Sequence, residues 1–205
     1  MVAHVAGHLS YTSEELLEMY DPEGMVERYI DLVFEENEKV NIVSRETERA
    51  DLKRLAAESL APLEVIDEGP FADMLDIGSG GGLPSVPILI SGAVLQGTLV
   101  ERTQKKAAVL DRIIEGLGLP AEVIARNLDE AGLSEPFDLI TLRLVRLTGR
   151  LLNLIGRLSH ENTLVIYYAR PETSLKLSGW TAEGYSYRVD NSQQDKRFTL
   201  LRKKA

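Results

Sequence analysis

The chain has 205 residues, 44% of which are hydrophobic, a composition that fits one globular domain and excludes global disorder. The absence of cysteine excludes a disulfide framework, a thiolate metal site and a cysteine nucleophile. The formal net charge of −9 argues against a general nucleic-acid coat, although residues 14–39 are acidic and residues 146–205 are basic.

The first third of the sequence predicts helices. Residues 1–12 carry weak signals, so we expect a loose start. The Thr12-Ser13 pair followed by two glutamates is typical of a helix N-cap with acids in the first turn. Apolar residues then recur at helical spacing over residues 25–40 and 47–66. These patterns predict an N-terminal helical extension over residues 1–68.

From residue 69 onwards the pattern alternates between strand and helix. Short β-rich runs predict seven strands, at residues 74–77, 98–101, 122–125, 137–142, 163–168, 185–189 and 198–202. The last two lie too close together for an intervening helix and should form an antiparallel hairpin. The order predicts an α/β fold with a mostly parallel seven-stranded sheet over residues 69–205.

The most informative stretch is Asp76-Ile77-Gly78-Ser79-Gly80-Gly81-Gly82-Leu83-Pro84, in which a strand ends at an aspartate and a glycine-dense turn precedes a helix. This arrangement is typical of the nucleotide-binding corner of an open α/β sheet. A dinucleotide-binding turn would have a glycine at Leu83, and a P-loop would have a lysine after the turn, where none occurs before residue 105. The pattern therefore favours a ribose and base without a pyrophosphate, a description that S-adenosylmethionine fits.

Two residues beyond the turn support this interpretation. Glu101 ends the second predicted strand of residues 69–205, close to the offset of about 20 residues at which an acid accepts ribose hydroxyls. Arg143 follows the fourth, at the edge where open α/β sheets bind ligands, and we expect it to contact either cofactor or substrate.

The stretch from Asp76 to Pro87 resembles the glycine motif of the RsmG (GidB) methyltransferases, which methylate N7 of a guanosine in small-subunit ribosomal RNA. Leu83-Pro84 followed by Pro87 is the most specific part, because most other methyltransferases lack it. The resemblance implies a Rossmann-like class I methyltransferase core, S-adenosylmethionine as cofactor, and ribosomal RNA or the small ribosomal subunit as partner. The chain departs from the family at Glu36, where a tryptophan is usual, and at Arg143-Leu144-Val145-Arg146, which replaces Arg-Ala-Val-Ala.

The turn, the strand ends and the resemblance together assign candidate cofactor contacts to Asp76, Gly78, Ser79, Gly80, Gly82, Leu83, Glu101, Arg102, Asn127, Leu128 and Arg143. The resemblance and the distribution of basic residues assign candidate substrate contacts to Asn41, Ser44, Arg54, Lys105, Arg146 and Arg197. No metal site is predicted. No catalytic residue is assigned, and Arg143 could have a positioning role.

Methylation at guanine N7 removes no proton, so such an enzyme needs to position the base and does not need a general base. The sequence leaves two alternatives open: a methyltransferase acting on another RNA or a small molecule, and a binding module without activity. No apolar run approaches the roughly 20 residues of a membrane span, so we expect a cytoplasmic protein. The monomer is the default expectation for its oligomeric state.

Overall fold

The computed structural model describes residues 4–190, 192 and 194–204. Its strands are β1 (His4–Tyr11), β2 (Phe71–Ile77), β3 (Val94–Val100), β4 (Ala121–Ile124), β5 (Phe137–Leu142), β6 (Ser159–Tyr167), β7 (Trp180–Val189) and β8 (Lys196–Lys203). Its α-helices are α1 (Ser13–Tyr20), α2 (Met25–Asn37), α3 (Arg49–Leu60), α4 (Ser85–Ile90), α5 (Gln104–Leu117) and α6 (Gly149–Arg157). Two 3-10 helices cover Ala61–Val65 and Leu128–Glu130.

The strands form one sheet in the order β1-β7-β8-β6-β5-β2-β3-β4. Strand β8 runs antiparallel to both β6 and β7, and every other neighbouring pair is parallel. The predicted α/β class, the mostly parallel sheet and the antiparallel C-terminal hairpin are therefore confirmed. The carboxyl ends of β2 to β6 lie along one edge, and the chain enters β8 at this same edge.

The prediction of a loose N-terminal start is wrong for residues 4–11, which form β1, a strand in addition to the seven predicted. Strand β1 pairs in parallel with β7, so that Leu9 lies opposite Tyr187. Main-chain hydrogen bonds to a strand almost 180 residues away stabilise this edge strand, and no local sequence pattern carries that information.

Helix α1 begins at the predicted N-cap, where Thr12 forms a capping box with Glu15. The Thr12 hydroxyl accepts from the Glu15 amide at 3.1 Å, and the Glu15 carboxylate accepts from the Thr12 amide at 2.7 Å. Helices α1 to α3 pack into the apolar core on one face of the sheet, which also holds α4 and α5. Tyr29 of α2 is fully buried there and donates to the Gly81 carbonyl at 2.8 Å. The N-terminal segment therefore contacts the glycine turn directly.

The two faces of the sheet use alternate residues of the same strands, as the pleat requires. Met74 and Leu139 face the core beneath α1 to α5, whereas Leu75 and Ile140 face a second core beneath α6. Within the described ranges, none of the helices combines the length and apolar character needed to cross a membrane.

Candidate cofactor-binding site

The glycine turn after β2 depends on backbone conformations that favour glycine. Gly78, Gly80 and Gly82 have φ values of +77°, +55° and +97°. A Cβ atom on Gly78 would lie 2.5 Å from Cγ2 of Val145, in the loop after β5. The turn is therefore packed closely against the β5 loop, and a side chain at Gly78 would separate them.

Glu101 follows β3 and lies beside this turn. Its two carboxylate oxygens accept from the Gly80 amide at 3.1 Å and from the Thr103 amide at 2.8 Å. The residue is largely buried, at the wall of a cavity. Each oxygen retains a further lone pair, so the held carboxylate can also accept from a pair of ribose hydroxyls.

The cavity at the ends of β2, β3, β4 and β5 has a volume of about 440 Å³, within the range of ligand pockets. Five of the eleven predicted cofactor residues line it: Gly78, Glu101, Arg102, Asn127 and Leu128. Five lining residues are not among the predicted cofactor contacts: Lys106, Arg126, Leu144, Val145 and Leu151. The position of Arg126, directly before Asn127 at the end of β4, could have indicated it.

Asp76 lies beneath the turn and does not line the cavity. Its Oδ1 atom accepts from the Thr141 hydroxyl at 2.7 Å, whereas Oδ2 has no hydrogen-bond partner among the described residues. Burial raises the pKa of this carboxyl group, and the hydrogen bond from the Thr141 hydroxyl offsets the rise only in part. Ser79 fixes the turn by donating to the Asp76 carbonyl at 3.1 Å.

Arg143 lies on the other side of the β5 loop, away from the cavity. Its guanidinium donates to the Leu55 carbonyl at 3.0 Å, the Ser59 hydroxyl at 2.9 Å and the Glu58 carboxylate at 3.0 Å. Lys196 donates to the same carboxylate at 2.5 and 2.7 Å. Glu58, Arg143 and Lys196, which we call the Glu58 cluster, join α3, the β5 loop and β8.

The predicted substrate residues do not form one cluster. Asn41 and Ser44 are exposed in the loop between α2 and α3, where the Ile42 backbone approaches Gly81. Arg54 lies next to the Glu58 cluster, with Nε 3.8 Å from the Glu58 carboxylate. Arg146 pairs with Glu172 at 2.9 Å. Lys105 is exposed on α5, and Arg197 lines a small cleft near the start of β8. These residues are spread along the carboxyl edge of the sheet.

A family model described as rRNA small subunit methyltransferase G (GidB) matches residues 23–179. The chain belongs to this family. The family resemblance predicted from the glycine turn is therefore confirmed.

Curated relatives carry the same description. Ribosomal RNA small subunit methyltransferase G of Sorangium cellulosum is 39% identical over 124 residues, covering 58% of this chain and 51% of that protein. The alignment thus spans about half the length of that relative. The protein of the same name from Xylella fastidiosa is 30% identical over 185 residues, covering 86% of this chain and 84% of the relative.

Solved methyltransferase structures share the fold at low sequence identity. The O-methyltransferase from Bacillus cereus, in complex with SAH, superposes with a TM-score of 0.65 at 16% identity, covering 94% of this chain and 96% of that one. A putative O-methyltransferase from Klebsiella pneumoniae gives a TM-score of 0.64 at 15% identity, with the same coverage. At these identities the likeness confirms the fold class alone.

Proposed function

We propose that this GidB-family chain is an S-adenosylmethionine-dependent methyltransferase that modifies N7 of a guanosine in small-subunit ribosomal RNA. The observation that carries the proposal is the cavity between Gly78 and Glu101, located where this fold binds a nucleoside. The names of the relatives support the RNA substrate.

The residues around the cavity fit S-adenosylmethionine. Gly78 lines the cavity with backbone alone, and Glu101 presents a carboxylate that its amide partners hold in place for ribose hydroxyls. Asn127 and Leu128 follow β4 and would lie beside the adenine. When bound, S-adenosylmethionine supplies an electrophilic methyl group. The chain's own contribution is a rigid wall on which the cofactor is oriented.

Methyl transfer to guanine N7 requires few further functions from the side chains. Guanine N7 carries an exposed lone pair and loses no proton, so alignment of the base with the methyl group is the main requirement. This fits a cavity whose one acidic side chain, Glu101, is already engaged by two backbone amides. We therefore assign no general base.

Attraction of RNA is assigned to cations at the cavity mouth. Arg102, Lys106 and Arg126 line the cavity, and Lys105 is exposed next to Lys106 on α5. Among the described residues, none of the four has a carboxylate within 4.0 Å. Unpaired cations can neutralise phosphates and release counterions, which gives affinity for any RNA strand. A local basic patch of this kind reconciles a net charge of −9 with an RNA substrate.

Calorimetry with S-adenosylmethionine tests the cofactor assignment. We expect the wild-type chain to bind one equivalent, and Glu101→Ala to bind at least roughly tenfold more weakly because a charge-assisted hydrogen bond to ribose is lost. Glu122→Ala is the matched control, since Glu122 is an exposed acid on the neighbouring strand β4 and lies outside the cavity. Equal losses in the two variants would contradict the assignment, and no binding by the wild type would favour a module without activity.

Mass spectrometry of methylated RNA tests the substrate. Small ribosomal subunits from a strain that lacks the family's enzyme are incubated with the chain and S-adenosylmethionine, and N7-methylguanosine is measured in digested RNA. Transfer RNA and free guanosine serve as competing acceptors. Preference for either of them over the subunits would favour the alternative substrates. We place the activity in the cytoplasm and expect a monomer, which light scattering can check.

A further inference from the structure

Leu144 combines two unusual properties. It is 98% exposed, whereas the other exposed large apolar residues among the described ones, Met19 and Leu95, are 58% and 59% exposed. Its φ value is +58°, in the left-handed region that residues with a Cβ atom avoid. The residue directly follows Arg143 after β5 and lines the cofactor cavity. A strained backbone conformation therefore keeps the apolar side chain of Leu144 exposed to solvent.

The two neighbours of Leu144 explain why the strain persists. On one side, the largely buried Arg143 guanidinium is fixed to α3 by Glu58, Ser59 and the Leu55 carbonyl. On the other side, Val145 packs so closely on Gly78 that its Cγ2 atom lies 2.5 Å from where a Cβ atom would be. Because both flanking residues are anchored in the protein, the backbone between them turns Leu144 outwards. Strain that is over-determined by its surroundings is characteristic of functional sites.

The position along the sheet edge indicates what Leu144 faces. In the proposed function, Glu101 after β3 holds the ribose, and Asn127 after β4 lies beside the adenine. Strand β2 lies between β3 and β5. The remaining part of the cofactor, which carries the methyl group, therefore extends towards β2 and β5. Leu144 lies at that end of the cavity, where the acceptor must approach.

We propose that Leu144 is a substrate-positioning residue that packs against the face of the target guanine. This inference rests on the proposed function and specifies how its substrate is held. Enzymes that modify a base take it out of the stack and hold it between apolar or aromatic side chains. An exposed leucine on a rigid, strained turn supplies such an apolar contact at low entropic cost, because its backbone is already fixed.

The test compares three variants in cofactor binding, subunit binding and methyl transfer. Leu144→Asn replaces the apolar side chain with a polar one that tolerates positive φ, so the variant should fold. Leu144→Met restores an apolar contact. Leu95→Asn makes the same chemical change at an exposed leucine of β3, remote from the cavity. Subunit affinity is measured by filter binding with S-adenosylhomocysteine present, and cofactor affinity by calorimetry.

We expect Leu144→Asn to lower kcat/KM for small subunits by roughly 10- to 100-fold and to weaken subunit binding, with cofactor affinity unchanged within about twofold. Leu95→Asn should behave like the wild type, and Leu144→Met should retain more subunit binding and methyl transfer than Leu144→Asn. If Leu144→Asn weakens only cofactor binding, or changes neither binding nor transfer, the inference is wrong while the proposed function stands. A wild-type chain that transfers no methyl group to the subunits overturns the proposed function and, with it, this inference.

Discussion

Two buried carboxylates on either side of the β5 loop are held in opposite ways. Asp76 and Glu58 are each only 1% exposed. Among the residues that the structure describes, Asp76 has a hydroxyl partner, no cation partner within 4.0 Å and an oxygen without a partner, whereas the Glu58 carboxylate binds Arg143 and Lys196. The half of the edge that carries the proposed cofactor cavity, which we call the cofactor half, is therefore built from glycine backbone and hydroxyls. The other half is built from ion pairs between distant segments.

The two halves are therefore destabilised by different kinds of substitution. A buried ion pair that loses one member leaves the other charged and desolvated, which costs more than an exposed pair ever contributes. The glycine turn is destabilised instead by a substitution that adds a side chain. The two halves meet at Arg143-Leu144-Val145, which is anchored to the Glu58 cluster at one end and to the glycine turn at the other.

The largest effect is expected in the Glu58 cluster. Glu58→Ala leaves the buried Arg143 guanidinium without its acid and should lower the free energy of unfolding by about 3–5 kcal/mol, measured by urea denaturation. Glu27→Ala is the matched control, because Glu27 pairs with Arg49 and Lys53 at the surface and should cost less than about 1 kcal/mol. A loss at Glu58 as small as that at Glu27 would remove the distinction between the two halves.

On the cofactor side, Gly78→Ala should lower the free energy of unfolding by about 2–4 kcal/mol. The added Cβ atom meets Val145 at 2.5 Å, and the φ value of +77° is itself unfavourable for alanine. Gly92→Ala separates the two causes, because Gly92 has a φ of +72° with open space around it and should cost only about 1 kcal/mol. Cofactor affinity should fall in the first variant alone. Similar results for both would mean that the contact with Val145 is unimportant.

Asp76→Asn should stabilise the cofactor-free protein at pH 8. Because burial raises the pKa of Asp76, the folded protein holds the carboxyl proton more tightly than the unfolded chain does. The stability that the protonated form contributes is complete below the unfolded-state pKa and is lost as pH rises through the higher folded-state pKa. The advantage of asparagine should therefore vanish below about pH 4 and grow with pH. Unfolding curves at several pH values measure this, and a gain independent of pH would contradict it.

The same contrast explains which parts of the candidate site can be predicted from the sequence. Gly78 and Glu101 each directly follow a strand that the sequence predicts, so their position at the carboxyl edge could be predicted, and both line the cavity. The Glu58 cluster joins three segments that are far apart in sequence, and no local pattern indicates that Arg143 turns towards α3. Its sequence position predicts only that it lies at the ligand edge, and the structure places its guanidinium away from the cavity.

Two other differences have the same physical origin. Strand β1 was missed because its pairing with β7 is entirely non-local. Glu36, at the position where the family usually has a tryptophan, is buried in the structure because Arg112 of α5 and Lys39 pair with its carboxylate. These ion pairs hold the pKa of Glu36 down, to about 2. The burial of Glu36 could therefore not be predicted from the sequence alone, because its partner Arg112 lies on another helix.

The smallest predicted effect concerns the segment where the two halves meet. Leu144→Gly should raise the free energy of unfolding by about 1 kcal/mol in urea denaturation, because glycine adopts a φ of +58° without a steric penalty. Asp190→Gly is the comparison, since Asp190 has a φ of +55° but accepts from the Ser13 amide and hydroxyl at 2.8 and 2.7 Å. That variant should lose stability, because the strain at Asp190 is compensated by contacts within the fold. A stability gain at Leu144 combined with lower methyl transfer would mean that its strain serves the substrate, whereas a loss of stability would mean that Leu144 serves the fold.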